Sequence, residues 1–273
     1  MATADCREAK LASPGSQIVI GDTTPAPWTP QADLIFKNNP HITAPDRVNE
    51  SKPVVYVKNF PRNRPYIDHI QAAEQQGLSF PGALNVSKIY LSTSFKAKRG
   101  DIFFSKEELE QIKALKDEYH DAILLHPMVK SAIQHNKDWG IKKWSSLRDE
   151  LLARDKKLVQ SRGNLKPEEL PLTGVPSVQT KTFRGMCTLL AAVGSVVVAE
   201  GGIHHAAAAL DKKTVVIYGG RVSPKTLGYD FQDNMYIEDD PESPCGMKSP
   251  CAHCKACMEQ ISVEQVLSKI DTI

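Results

Sequence analysis

Four of the chain's six cysteines crowd into Cys245, Cys251, Cys254 and Cys257, while Cys6 and Cys187 stand alone. The Cys-x5-Cys-x2-Cys-x2-Cys spacing can wrap a tetrahedral thiolate site, and zinc and iron both suit four sulfurs. The surrounding pattern of a ferredoxin is absent, and four reduced thiols in a loop is the competing reading. Four thiolates close a coordination shell, so any ion held there would be structural.

A second stretch, Glu200-Gly201-Gly202, lies where the apolar run Val196-Val197-Val198-Ala199 ends and a helical segment, Ile203 to Leu210, begins. Paired glycines let backbone approach a ligand closely. The exposed N–H groups and positive end of the following helix favour an anion such as a diphosphate. Glu200 can accept hydrogen bonds from a sugar or ribose hydroxyl, and His205 sits on the first helical turn. The same residues would also serve as a plain tight connection.

The elements that must position these groups follow from patterning. Ile18-Val19-Ile20, Leu34-Ile35-Phe36 and Val54-Val55-Tyr56-Val57 are expected as strands separated by turns, with a helix over Tyr66 to Gln76. Ser105 followed by Glu108 makes a capping box for a helix to about Tyr119. Strands at 122–125, 157–160, 196–199 and 214–218 then alternate with helices at 142–152, 182–193 and 203–210, the pattern of a parallel sheet covered on both faces. Ligands in such sheets bind beyond the carboxyl ends of the strands, where Glu200 lies.

With 273 residues, 41% hydrophobic and 24% charged, the chain can form two compact lobes. Its 34 basic and 32 acidic side chains leave a net charge of +2, which weighs against nucleic acid or an anionic membrane as the general partner. The sequence has neither the ~18 to 20 uninterrupted apolar residues of a membrane span nor a secretory layout at Met1–Glu8, so a cytoplasmic location is expected.

The segment Val198-Ala199-Glu200-Gly201-Gly202-Ile203-His204-His205-Ala206-Ala207-Ala208-Ala209-Leu210 resembles the Asp-Thr-Gly-x-x-His-x-Ala-Ala-Ala-Leu signature of the ADP-heptose:lipopolysaccharide heptosyltransferases. Thr214-Val215-Val216-Ile217-Tyr218-Gly219, Cys257-Met258-Glu259-Gln260-Ile261, and Leu124-Leu125-His126-Pro127 with Asn136-Lys137-Asp138-Trp139 extend the likeness over residues ~120 to 270. Two departures stand out: Glu200 replaces the family's aspartate and Gly201 its threonine.

The resemblance implies a GT-B-like α/β fold of two Rossmann-like lobes. The first, residues 1–118, is reduced and faces the acceptor; the second, 119–273, binds the nucleotide sugar and carries the cysteines. It assigns Lys137, Glu200, Gly201, Gly202, His205 and, at shorter reach, Ser131 to the donor, with an ADP-sugar favoured and no catalytic metal expected. Asp22, in the Gly21-Asp22 turn, takes the place of the family's general base, with Asp68, His69 and His120 as alternatives. The expected activity is transfer of a heptose-like sugar to a glycan. A protein or modified DNA as acceptor, or a non-catalytic nucleotide-binding protein, are the alternatives.

Overall fold

Apolar four- and five-residue runs bounded by turns become two parallel sheets. The computed structural model describes residues 1–60, 64–68, 70–71, 74, 88–128 and 135–272. Helix α1 (Ala2–Ala12) precedes β1 (Gln17–Ile20), α2 (Pro30–Phe36) and β2 (Val54–Val57). β1 and β2 pair in parallel, with Ile18 opposite Val55, and bury Ile18, Ile20 and Val57 against Cys6 of α1.

One expected strand is a helix. Leu34-Ile35-Phe36 closes α2, because Thr29 caps its start by accepting the Ala32 N–H at 3.1 Å and Pro30 occupies the first turn. The expected helix at 66–76 lies partly outside the described residues. Within them, Ile67 bridges Leu91.

The second sheet follows the expected alternation. After α3 (Lys106–Tyr119) come β3 (Ile123–His126), α4 (Ile141–Ala153), β4 (Leu158–Ser161), β5 (Ser177–Val178), α5 (Phe183–Ala192), β6 (Ser195–Ala199), α6 (Gly202–Ala209) and β7 (Lys213–Ile217). The chain ends through α7 (Pro224–Leu227), β8 (Asp233–Met235), α8 (Ala252–Gln260) and α9 (Val263–Ile270). The strand order is β5-β4-β3-β6-β7-β8, with every pair parallel. The reversal between β3 and β6 is the switch point at which such sheets open a crevice.

Both faces of the sheet are covered. Leu124, Val196, Val198 and Val216 pack toward α5 and α6, and Ile123, Leu125, Val197 and Val215 toward α4 and α9. Helix α3 has its capping box, with Ser105 and Glu108 exchanging bonds, and Tyr119 joins the first of these cores. Arg184 of α5 holds Glu108 through Nε at 2.8 Å and Nη2 at 2.5 Å, tying α3 to the sheet's helices. Among the described residues, no helix is long and apolar enough to cross a membrane.

Candidate functional site

β6 delivers Glu200 beyond the sheet's carboxyl edge, where its N–H still bonds Ile217 O of β7 at 2.9 Å. The turn then enters α6 through Gly201, whose N–H donates to His204 Nδ1 at 2.9 Å, so a histidine side chain takes over the capping that a serine or threonine would supply. His204 is fully buried. Its Nε2 lies 3.2 Å from Leu227 O and 3.3 Å from the Tyr218 hydroxyl. Burial lowers the His204 pKa to about 4, so the ring is neutral, accepting at Nδ1 and donating from Nε2.

His205, one residue on, is half-buried. It stacks on His204 with ring centroids 3.9 Å apart, and its Nδ1 meets the Tyr229 hydroxyl at 2.9 Å. Burial, then the neighbouring His204, pushes its pKa well below that of a free histidine.

Lys137 reaches the same place from the short 3-10 turn His135–Lys137 after β3 and forms an ion pair with Glu200. Both side chains are buried, at 8% and 6% exposure. Burial opposes the charged form of Glu200, yet Lys137 above all, with His204 and Arg221, outweighs it and holds the carboxyl below its ordinary pKa.

Lys137, Glu200 and His205 line one cavity of about 290 Å³ with Arg64, Tyr66, Leu91, Arg221 and both glycines. A Cβ on Gly202 would meet nothing within 4 Å, and one on Gly201 only Ala199 O at 4.0 Å, so the backbone there faces open space. A second cavity of about 260 Å³ shares Gly202 and His205 and runs toward the first sheet past Phe36, Asn59, Asp101, Ile102 and Phe183.

The structure thus brings together Lys137, Glu200, Gly201, Gly202 and His205. Ser131 and His69 lie outside the described residues. Asp22 stands beyond β1, about half exposed and paired with Lys58 at 2.6 Å, and lines neither cavity. Asp68 accepts the Gln71 N–H at 2.9 Å, and His120 sits at the amino end of β3, on the opposite edge of the sheet. Sequence reasoning missed His204, Arg64 and Arg221. The run Gly219-Gly220-Arg221 after β7 was the available signal for the last.

The cysteines gather on the flank of this site, but not as four sulfurs alone. Cys245, Cys251, Cys254 and His253 bring one ligand atom each within 4.8 Å of one another. Cys257 falls instead with Asp240 and His253, its Sγ 3.0 Å from Asp240 Oδ2. His253 Nε2 meets Asp240 Oδ2 at 2.8 Å, whereas its buried Nδ1 has no hydrogen-bond partner among the described residues. An imidazole fixed by a carboxylate through one nitrogen, with the other left bare among thiols, fits a metal ligand. Three sulfurs and one nitrogen suit zinc or iron and could hold either.

Asn136 joins the two regions. It is 2% exposed, donates to Met247 O at 3.0 Å and Ser249 O at 2.8 Å, and accepts the Cys251 N–H at 2.9 Å, while its chain neighbour is Lys137.

Comparison with known proteins agrees with this geometry. Residues 104–255 match the family model described as glycosyltransferase family 9 (heptosyltransferase). No curated protein sequence matches significantly. The E. coli ADP-heptose LPS heptosyltransferase II is 14% identical, covering 100% of this chain and 93% of that one with a TM-score of 0.58. A family 9 glycosyltransferase from Veillonella parvula is also 14% identical, covering 99% and 92% with a TM-score of 0.62. The iron-containing dodecameric glycosyltransferase TibC of enterotoxigenic E. coli is 13% identical, covering 98% and 70% with a TM-score of 0.56. At such identities these likenesses carry the GT-B-like fold.

Proposed function

Since the chain belongs to glycosyltransferase family 9 and is a nucleotide-sugar glycosyltransferase, we propose that its donor is an ADP-sugar, heptose or a relative, held in the cavity at Glu200–His205. The observation that carries this is the open backbone at Gly201 and Gly202 at the start of α6, beside the buried Lys137–Glu200 pair. The α6 N–H groups face the diphosphate and stabilise its charge as it leaves. Glu200, kept ionised by Lys137, accepts hydrogen bonds from sugar or ribose hydroxyls. His205 adds a neutral imidazole at the junction of the two cavities.

The second cavity takes the acceptor, a glycan hydroxyl, with Phe36 and Phe183 offering apolar surface to sugar faces. The acceptor oxygen attacks the donor's anomeric carbon, the bond to the diphosphate breaks, and Asp22, in the turn after β1, takes the proton. Residues 1–118 form the acceptor side and 119–273 the donor side, with α3 as the connecting helix, in a protein that works in the cytoplasm. The family match disfavours a non-catalytic nucleotide-binding role. Beside the site, Cys245, Cys251, Cys254 and His253 hold a structural zinc or iron ion, in place of the fourth sulfur expected from Cys257.

A thermal-shift series with ADP-, UDP- and GDP-sugars tests the donor assignment. An ADP-sugar should raise the melting temperature of the wild type and do so less in Lys137→Ala. Equal response to all three, or to none, would remove ADP as the preferred nucleotide.

A further inference from the structure

Arg221 is a buried arginine, 9% exposed, whose Nε meets no acceptor among the described residues. A buried guanidinium left without an acceptor is costly, and proteins keep such groups where an anion arrives. Arg221 lines the same cavity as Gly201, Gly202 and His205.

Among the described residues no carboxylate forms an ion pair with Arg221, although its charge helps keep Glu200 ionised. Glu200, the acidic residue lining that cavity, pairs with Lys137. The other charged neighbours are cations: Arg64 lines the cavity too, and burial, followed by the charges of Arg64 and Arg221, lowers the pKa of Lys248.

The main chain of Arg221 is pinned as well. Cys245 N–H donates to Gly220 O at 2.8 Å and Gly246 N–H to Arg221 O at 2.9 Å. A Cβ on Gly220 would come within 2.5 Å of the His253 ring and 2.7 Å of Cys257 Sγ. The cysteine element therefore braces the backbone from which this side chain projects.

We propose that Arg221 binds the diphosphate of the donor, supplying the forked cation that Lys137, engaged by Glu200, does not. The inference rests on the nucleotide-sugar reading of the cavity. A guanidinium offers parallel N–H donors that match two oxygens of a phosphate, which an ammonium cannot do.

Calorimetric titration of inorganic pyrophosphate, ADP and adenosine into the full chain tests this in the wild type, Arg221→Gln and Arg221→Lys. Arg221→Gln should lose about tenfold or more in affinity for pyrophosphate and ADP, with adenosine nearly unchanged. Arg221→Lys should recover only part of that loss, and the ligand-free Arg221→Gln chain should melt close to the wild type, since Arg221 Nε gives up no hydrogen bond among the described residues. If pyrophosphate fails to bind the wild type, or binds Arg221→Gln equally well, the proposal is overturned. ADP binding that ignores Arg221 would sink the proposal and leave the donor site standing. Pyrophosphate binding that needs Arg221, with no nucleotide diphosphate bound, would keep the anion site and reject the donor reading. Should Arg221→Gln not fold, undiminished pyrophosphate affinity in Arg221→Lys overturns the forked-cation role and a loss supports it.

Discussion

Lys137 and Glu200 meet as a buried ion pair, one from the turn after β3 and the other from the end of β6, across the point where the strand order reverses. Neither side chain belongs to the same segment, so the pair locks the mouth of the crevice. Removing one partner of such a pair leaves the other charge uncompensated.

Glu200→Gln should therefore destabilise the chain by about 3 kcal/mol near neutral pH. The sign of its pH dependence follows from the carboxyl's pKa, which lies below its ordinary value of 4.5 when folded. The ionised carboxylate's contribution is fully present above that ordinary value and is lost as pH falls through the folded one. Urea unfolding of both proteins from about pH 7 to about pH 3.5 should show the gap between them narrowing only below about pH 4.5. A constant gap across that range would mean that the pair does not stabilise the folded state in this way.

Asn136 couples the cysteine element to Lys137. Asn136→Ala gives up its bonds to Met247 O, Ser249 O and Cys251 N–H. A loss of roughly 2 to 3 kcal/mol is expected, because the freed carbonyls and N–H lie in part-buried surroundings. Donor affinity should fall along with metal content. Unaltered metal content and donor affinity in a folded variant would show that the two regions are independent.

The proposed ion predicts about one zinc or iron per chain, lost in Cys254→Ser together with thermal stability. Cobalt substitution distinguishes the ligand sets: three sulfurs with His253 should give an absorption spectrum that changes in His253→Ala and not in Cys257→Ser. The reverse pattern would restore the four-cysteine set.

Asp22→Ala should abolish most turnover, by about a hundredfold or more, while donor affinity stays within a factor of about two. Undiminished turnover would dismiss Asp22 as the base and leave the donor site untouched.

How much of this was legible in the sequence depends on the range of the interactions involved. β3, β4, β6 and β7 could be read because strands buried on both faces are unbroken apolar runs, and α3 because Ser105 and Glu108 announce its start. Leu34-Ile35-Phe36 misled because three apolar residues in a row suit a strand, while the helix signal lay upstream at Thr29-Pro30. Lys137 was assigned through the family resemblance, and Glu200 and His205 through the strand-turn-helix as well, but the Lys137–Glu200 pairing is tertiary and no local pattern encodes it. His253 hid between two cysteines that drew attention to sulfur alone. Arg221 looked like one arginine among many, since only folding shows that it is buried with its Nε unpartnered among the described residues.

The central claim is that the open backbone at the start of α6 is where the nucleotide diphosphate sits. A Cβ on Gly202 meets no protein atom within 4 Å, so Gly202→Val should fold and yet fill the space reserved for ligand. Calorimetric titration of ADP-heptose into the wild type and Gly202→Val is the most direct test. Saturable binding by the wild type, weakened about a hundredfold or more in a variant of unchanged melting temperature, is the predicted result. Equal affinity in the two proteins would contradict the account.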